Sequence, residues 1–307
     1  MNKIILSIAL ATSLIGCARK ENPFFVDKIN PKRAELKIVT QQFAGNPPTW
    51  KEPFKEGDEI GLYLLDGHQA HFHTDSILYR NIKARAVKGP DGKIQWNINP
   101  PIYLNTNPVT LIAYFPYYPQ GMEPSDQLPL HISNSNEQTP FYRYGRSSGK
   151  QKPLTCLAPI AHISFKPAAV RLTFRIRLEN KLEKDVHLEA IQIENLTGHT
   201  LYPHRALLDV NTGKIEAIPS FSTATRLNVA KERLETNRYK EYRLHVLPTL
   251  RPAKKDEIKA LFTIGRHTYV SSFPQQTCWK KGYEYIYEII LDGKMCSLKT
   301  IAQYPIY

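Results

Sequence analysis

The densest group of side chains able to do chemistry is Asp66-Gly67-His68-Gln69-Ala70-His71-Phe72-His73-Thr74-Asp75. On an extended segment His71 and His73 point to one face, and with Asp66, His68 or Asp75 they could hold zinc or copper. A working metal site needs three or four converging ligands and a supporting shell that one loop seldom supplies. The segment therefore reads as a polar loop after an apolar strand, and neither a metal nor another cofactor is expected. The sequence holds no Gly-x-Ser-x-Gly elbow, His-Glu-x-x-His pair, phosphate loop or dinucleotide fingerprint, so no catalytic residue and no enzyme activity are expected. The stripes Arg171, Arg175, Arg177 and Tyr283, Tyr285, Tyr287 could bind glycan, but strand alternation explains them, with Arg on the solvent side and Tyr sharing a core.

Cys17 is the other reactive side chain that matters. It follows Lys3, an apolar run from Ile4 to Ala11, and Leu14-Ile15-Gly16. A charged start, a short apolar stretch and a small residue before Cys make a bacterial lipoprotein signal, so residues 1–16 are expected to leave and Cys17 to be acylated. Each acyl methylene contributes about 0.8 kcal/mol of membrane affinity, which anchors the chain, palmitate included, without a spanning segment. Beyond Cys17 stand only Cys156, Cys278 and Cys296. That odd number, without metal-site spacing, allows at most one disulfide and no zinc framework.

Net charge is +13, or +12 once a signal containing Lys3 leaves. Lys and Arg are spread over the whole chain and no nucleic-acid motif appears, so nucleic acid is not an expected partner. A solvated basic face accounts for the charge, and attraction to acidic glycans or lipopolysaccharide is a milder option.

The elements around these residues are strands. Val170 to Leu178 alternates apolar residues with Arg or Thr, the pattern of a half-buried antiparallel strand. The alternation recurs at Ile60-Leu62-Leu64, Val109-Leu111-Ala113-Phe115, Tyr242-Leu244-Val246 and Tyr283-Tyr285-Tyr287-Ile289-Leu291. Gly57-Asp58, Pro90-Asp91-Gly92, Asn211-Thr212-Gly213 and Asp292-Gly293 fall between apolar runs, where hairpins need such residues. Helix signals are short, the best being Ala230 to Thr236 and Ala253 to Ala260, and 23 prolines oppose a helix-rich domain. The chain reads as all-β, built of sandwiches. The polar stretch Gly145 to Pro153 suggests a boundary.

Several segments resemble the fimbrillin-like proteins, the type V pilus subunits and their relatives. Phe54-Lys55-Glu56-Gly57-Asp58-Glu59-Ile60-Gly61-Leu62-Tyr63 is similar to the family's early Phe, Gly-Asp turn and apolar strand. Tyr79-Arg80-Asn81-Ile82 resembles its aromatic-x-Asn strand, and Asp91-Gly92-Lys93-Ile94-Gln95-Trp96 its turn leading into Trp. Ala113-Tyr114-Phe115-Pro116-Tyr117 is similar to its Ala-Tyr-x-Pro-Tyr segment, followed by Tyr144-Gly145 and by Ile163 to Phe174 opening the second half. One departure is Pro167, where the family often has His.

The resemblance implies two tandem transthyretin-like β-sandwiches after the signal: residues 1–16 as signal peptide, 17–35 as lipidated segment, 36–155 and 156–307 as sandwiches. It implies a surface lipoprotein of the outer membrane that forms or anchors a fimbria, with other subunits as partners through β-strand addition, and a host or bacterial receptor. In the family a trypsin-like protease removes the N-terminal segment with its first strand and so opens a groove. Here the candidate cut follows Lys32-Arg33, and an ordinary linker is the competing reading of that pair. Stalk, tip and anchor are the roles the family offers; the segment available as a donor strand, Met295 to Tyr307, keeps no period of two and contains Pro305, which weakens the stalk role and leaves a tip, accessory or anchor subunit open. A surface glycan-binding lipoprotein, marked by coplanar exposed aromatics, and a secreted hydrolase, marked by paired carboxylates, are the alternative classes.

Overall fold

The computed structural model describes residues 33–41, 53–67, 76–122, 127–131, 140–147, 153–179, 186–196, 201, 203–219, 224–236, 238–292 and 296–306. These residues form strands and connecting turns, with no α-helix among them. In chain order the strands are β1 (Ala34–Glu35), β2 (Lys37–Gln41), β3 (Glu59–Asp66), β4 (Ile77–Lys88), β5 (Ile94–Asn99), β6 (Tyr103–Leu104), β7 (Val109–Phe115), β8 (Gln127–His131), β9 (Arg143–Ser147) and β10 (Ile160–Pro167). They continue with β11 (Val170–Leu178), β12 (His187–Asn195), β13 (Arg205–Asp209), β14 (Ile215–Ala217), β15 (Ala224–Arg233), β16 (Lys240–Val246), β17 (Ile258–Ile264), β18 (His267–Ser272), β19 (Tyr283–Leu291) and β20 (Cys296–Pro305).

The first half is a seven-stranded sheet in the order β2-β10-β9-β7-β3-β4-β5, antiparallel except where β2 runs parallel to β10. Gly92, at φ 76° with Asp91 Oδ1 accepting from the Lys93 N–H at 3.1 Å, makes the turn between β4 and β5. One face of the sheet packs Ile60, Leu62 and Leu64 of β3 with Leu111 and Ala113 of β7, and with Trp96, Ile98 and Phe165. The other face of the same strands, Tyr63, Leu65, Ile112 and Tyr114, enters a separate core. β3 and β7 are therefore near-continuous apolar runs, and the alternation read at Ile60-Leu62-Leu64 describes only one of their two buried faces.

The second half packs β16-β11-β19-β20 against β15-β12-β17-β18. Leu172, Phe174 and Ile176 of β11, Ile191 and Ile193 of β12, and Tyr285, Tyr287 and Ile289 of β19 fill the space between. Tyr285 and Tyr287 share this core as the sequence suggests, and Tyr283 packs against it. Arg171 does not face solvent as expected. It is 1 % exposed, its Nη1 lies 3.8 Å from Glu284 Oε2, and its guanidinium sits 5.4 Å from the Phe141 ring. Strand β11 is also buried on both sides over its first half and runs parallel to β19, so it is neither half-buried nor purely antiparallel. Arg175 and Arg177 do reach the surface, where their Nε atoms donate to Glu241 (2.8 Å) and to the Tyr239 hydroxyl (2.7 Å).

A further, three-stranded sheet, β14-β13-β8, takes β8 from the first half and β13 and β14 from the second. Its Leu128, Leu130, Ala206 and Leu208 pack with Tyr63, Tyr114, Ala168, Leu247 and Ile306 in the shared core. Arg33–Tyr307 accordingly form one compact unit. Strand β10 pairs with β9 and β2, and sheet membership changes at Ala168-Ala169. Both expected helix segments are strand or loop. In β17, Ile258, Ala260, Phe262 and Ile264 alternate into the core, and packing overrides the local preference.

Candidate assembly interface

The residues that carry the family resemblance converge, and what they build is scaffold. Phe54 makes edge-to-face contacts with Trp96 (5.1 Å), Phe115 (5.4 Å) and Phe165 (5.1 Å), and the Arg143 guanidinium covers it at 4.6 Å. Asn81, at φ 48°, is the extra residue of a β-bulge in β4 opposite β3. The Tyr114 ring lies over Gly61 where a Cβ would overlap it, and burial pushes its hydroxyl well above the usual tyrosine range. Nothing in this group offers a nucleophile with a base beside it.

The most open feature of the first sheet is a seam between its edges. The seven-stranded sheet curls until its two edge strands, β2 and β5, come next to one another, yet no ladder joins them. Among the described residues each pairs on one side only, β2 with β10 and β5 with β4, so within that set each keeps a row of backbone donors and acceptors outside any ladder. A groove of 730 Å³ lies along the seam, lined by Ile38, Thr40, Phe54, Ile94, Gln95 and Phe165 among others. Beside it the outer surface carries Val39 (44 % exposed), Ile160 (46 %) and Tyr103 (52 %), apolar side chains on β2, β10 and β6. Leu36 and Ile38 point inward, and the Leu36 N–H donates to the Ile102 carbonyl at 2.8 Å.

Arg33 is exposed and immediately precedes β1. A cut after it leaves β1 and β2 in place, so it would vacate none of the described strands. Cys17 lies outside the described residues, as do Lys32, His68, His71, His73 and Asp75, while Asp66 ends β3. Among the described residues no three His, Cys, Asp or Glu side chains come together. Cys156, Cys278 and Cys296 are free thiols, and burial pushes that of Cys296 up to about 12.

The C-terminal segment, read as a poor strand, is a full edge strand. β20 pairs with β19 from Tyr283↔Pro305 to Leu291↔Cys296, and Ile301 is the extra residue between Ala302 (opposite Ile286) and Thr300 (opposite Tyr287). This bulge shifts the apolar side from Cys296 and Leu298, on the sandwich core, to Tyr304 and Ile306, on the shared core, which accounts for the lost period. The sequence also gave no sign of the seam, because sheet curvature has no local pattern. Its one trace is the run Leu36-Lys37-Ile38-Val39, apolar on both faces.

The chain matches the model of the fimbrillin-like family over residues 46–303. No curated protein sequence matches it. Among solved structures, a proposed cell adhesion protein of Bacteroides uniformis is similar at 15 % identity and a TM-score of 0.62, with 90 % of this chain and 98 % of that one covered. A proposed cell adhesion protein of Bacteroides ovatus gives 13 % and 0.63, covering 91 % and 99 %. A fimbrial protein of Bacteroides vulgatus gives 12 % and 0.57, covering 89 % and 99 %. These likenesses show a shared fold, and the family match extends over most of the sequence: the chain belongs to the fimbrillin-like family.

Proposed function

We propose that this protein is a lipid-anchored subunit of a cell-surface fimbria, held at the outer membrane through Cys17 and joined to other subunits by β-strand addition at the β2/β5 seam. The role is structural and adhesive, not enzymatic. The observation that carries the reading is the seam itself: two strand edges that join no further ladder among the described residues flank a groove where Ile38, Phe54, Ile94 and Phe165 stand among polar Thr40, Lys93 and Gln95. An added strand gains main-chain hydrogen bonds for affinity and side-chain pockets for register. Exposed Val39, Ile160 and Tyr103 extend the apolar contact.

Because β20 is engaged along its length with β19, the chain's own C-terminal segment is not free to be donated. A subunit that accepts a strand without donating its last one suits a tip, accessory or anchor position better than the stalk. Arg33 is the proposed processing site, exposed and ahead of the first strand. Cutting there frees the folded unit from its lipidated leader.

The test is photo-crosslinking in cells that make the fimbriae, with the probe at Val39, at Gln95, or at the remote exposed Val270 of β18. Capture of another fimbrial subunit from positions 39 and 95, but not from 270, is the expected outcome. Equal capture from all three, or none from the seam positions, overturns strand addition at this edge.

A further inference from the structure

A second cavity, of 440 Å³, opens at the rim of the second sandwich between the β18–β19 loop and edge strand β20. Its floor is aromatic. Tyr283 is half-buried, tilted 38° against Tyr285 with ring centres 6.4 Å apart. The Tyr285 hydroxyl donates to the Cys278 carbonyl (2.8 Å) and accepts from the Lys280 N–H (3.0 Å), while Tyr287 Oη accepts from Trp279 Nε1 (2.8 Å). The deeper hydroxyls are satisfied by the protein, so the floor is fixed before any ligand arrives.

The walls are amides and hydroxyls. Gln275, Gln276 and Gln303 are exposed at the mouth, and their side-chain amides form no hydrogen bond among the described residues. Gln276 holds φ 68°, unusual for a side-chain-bearing residue, and its N–H donates to the Ala253 carbonyl at 2.8 Å. On β20 the bulge at Ile301 is what brings Thr300 and Gln303 to the same side, opposite Tyr287 and Tyr285. In an unbroken strand, residues three apart would face opposite ways. The bulge thus aims Gln303 at the cavity. Among the described residues lining it, Lys280 is the single charge and there is no carboxylate.

We propose that this cavity is a binding site for the end of a neutral glycan chain. A pyranose has a C–H face that packs on a tyrosine ring and vicinal hydroxyls that each donate and accept. Primary amides, which also do both, match that pattern, whereas an ionic ligand would need more than one Lys. The volume is within the range of about 300–1,000 Å³ common for small-molecule sites. The site lies on the second sandwich, away from the β2/β5 seam, so glycan binding and subunit joining can occur on one molecule.

The test is a neutral-glycan array on the purified chain, followed by saturation-transfer NMR with methyl glycosides of glucose, galactose, mannose and N-acetylglucosamine. Binding is expected, with the strongest transfer to the C–H face of the ring. Gln303→Ala and Gln276→Gly should each weaken it about tenfold, the worth of one well-placed hydrogen bond. Both positions are exposed and Gly suits the positive φ at 276, so the melting temperature should not fall in either variant. Absence of binding to every neutral saccharide, binding confined to anionic glycans, or binding unchanged in both variants overturns the proposal.

Discussion

The Tyr114 hydroxyl donates to Asn81 Oδ1 at 2.6 Å, and Asn81 Nδ2 in turn donates to the carbonyls of Tyr118 (2.9 Å) and Pro119 (3.1 Å). The two residues sit on β7 and β4, which are not neighbours, and the Tyr114 ring spans the intervening β3 at Gly61. Three sequence motifs, around Gly61, Asn81 and Tyr114, thus meet at one diagonal across the sheet. The contact fixes the loop after β7, and with it the edge of the shared core.

Asn81→Ala should therefore destabilise the protein by about 2 kcal/mol, since it takes the nearer of two acceptors from a fully buried hydroxyl, which keeps only the Tyr118 carbonyl at 3.0 Å, and the donor from two loop carbonyls. Gly61→Ala should cost a similar amount or more, because the added methyl meets the Tyr114 ring. Tyr114→Phe should cost about 1 kcal/mol, and in its background Asn81→Ala should cost less than in the parent, only the bonds to the two loop carbonyls remaining to be lost. Urea unfolding of the four proteins measures all three, and full additivity of the double variant would show that the bond is not the shared cause.

The buried pair Arg171 and Glu284 gives a second expectation. Both are nearly inaccessible, and Thr173 Oγ1 donates to Glu284 Oε1 at 2.6 Å. Losing one charge takes its ion-pair partner from the other in the interior, so Arg171→Leu or Glu284→Leu alone should cost about 3–5 kcal/mol. The double substitution should recover much of that, since apolar residues of similar volume can replace a buried ion pair. A double variant as unstable as the sum of the singles would contradict this account.

Arg171 also shows how far the sequence could be read. Alternation along Val170–Leu178 marks a strand and its core face, and the same holds for Tyr283–Leu291. It cannot show that a second layer covers the opposite face, because that layer comes from Phe141 and the shared core, distant in sequence. The polar residues of β11 looked solvated for that reason. The β10 strand has an equally clear alternation, but its partners are β9 and, in parallel, β2, more than a hundred residues earlier. Non-local pairing of that kind decides sheet membership and leaves no periodic trace. Lys32-Arg33 is legible as a basic pair in the sequence, while the seam depends on the curl of seven strands.

His204 predicts a pH response. It is 1 % exposed, and burial first, then repulsion from His131, lower its pKa from 6.5 to about 4. The folded protein keeps this imidazole neutral while the unfolded chain takes up a proton, so stability is full above about 6.5 and falls as pH drops towards about 4. The loss should reach on the order of 3 kcal/mol and then level off. His204→Gln should flatten that part of the profile, whatever it costs at neutral pH. Thermal melts across the window decide the matter, and parallel profiles for both proteins would assign the pH effect to other groups.

The last prediction concerns the strand that follows Arg33. A chain beginning at Ala34 keeps β1 and β2, and with them Leu36 and Ile38, whose side chains are 2 % and 7 % exposed. Its stability should equal that of the chain beginning at Cys17. A chain beginning at Pro53 loses both strands and the burial of those two side chains, worth about 3–6 kcal/mol together. It also uncovers the β10 edge that β2 had paired. A synthetic peptide of residues 34–41 should restore much of the lost stability by lying parallel to β10, and a version with Ile38→Asp should not, because the inward pocket carries the register. Unfolding curves with and without peptide give the answer. If the Pro53 chain is as stable as the Ala34 chain, β2 contributes nothing to the fold. If it is weakened and the peptide does not restore it, the β10 edge does not accept a strand in trans.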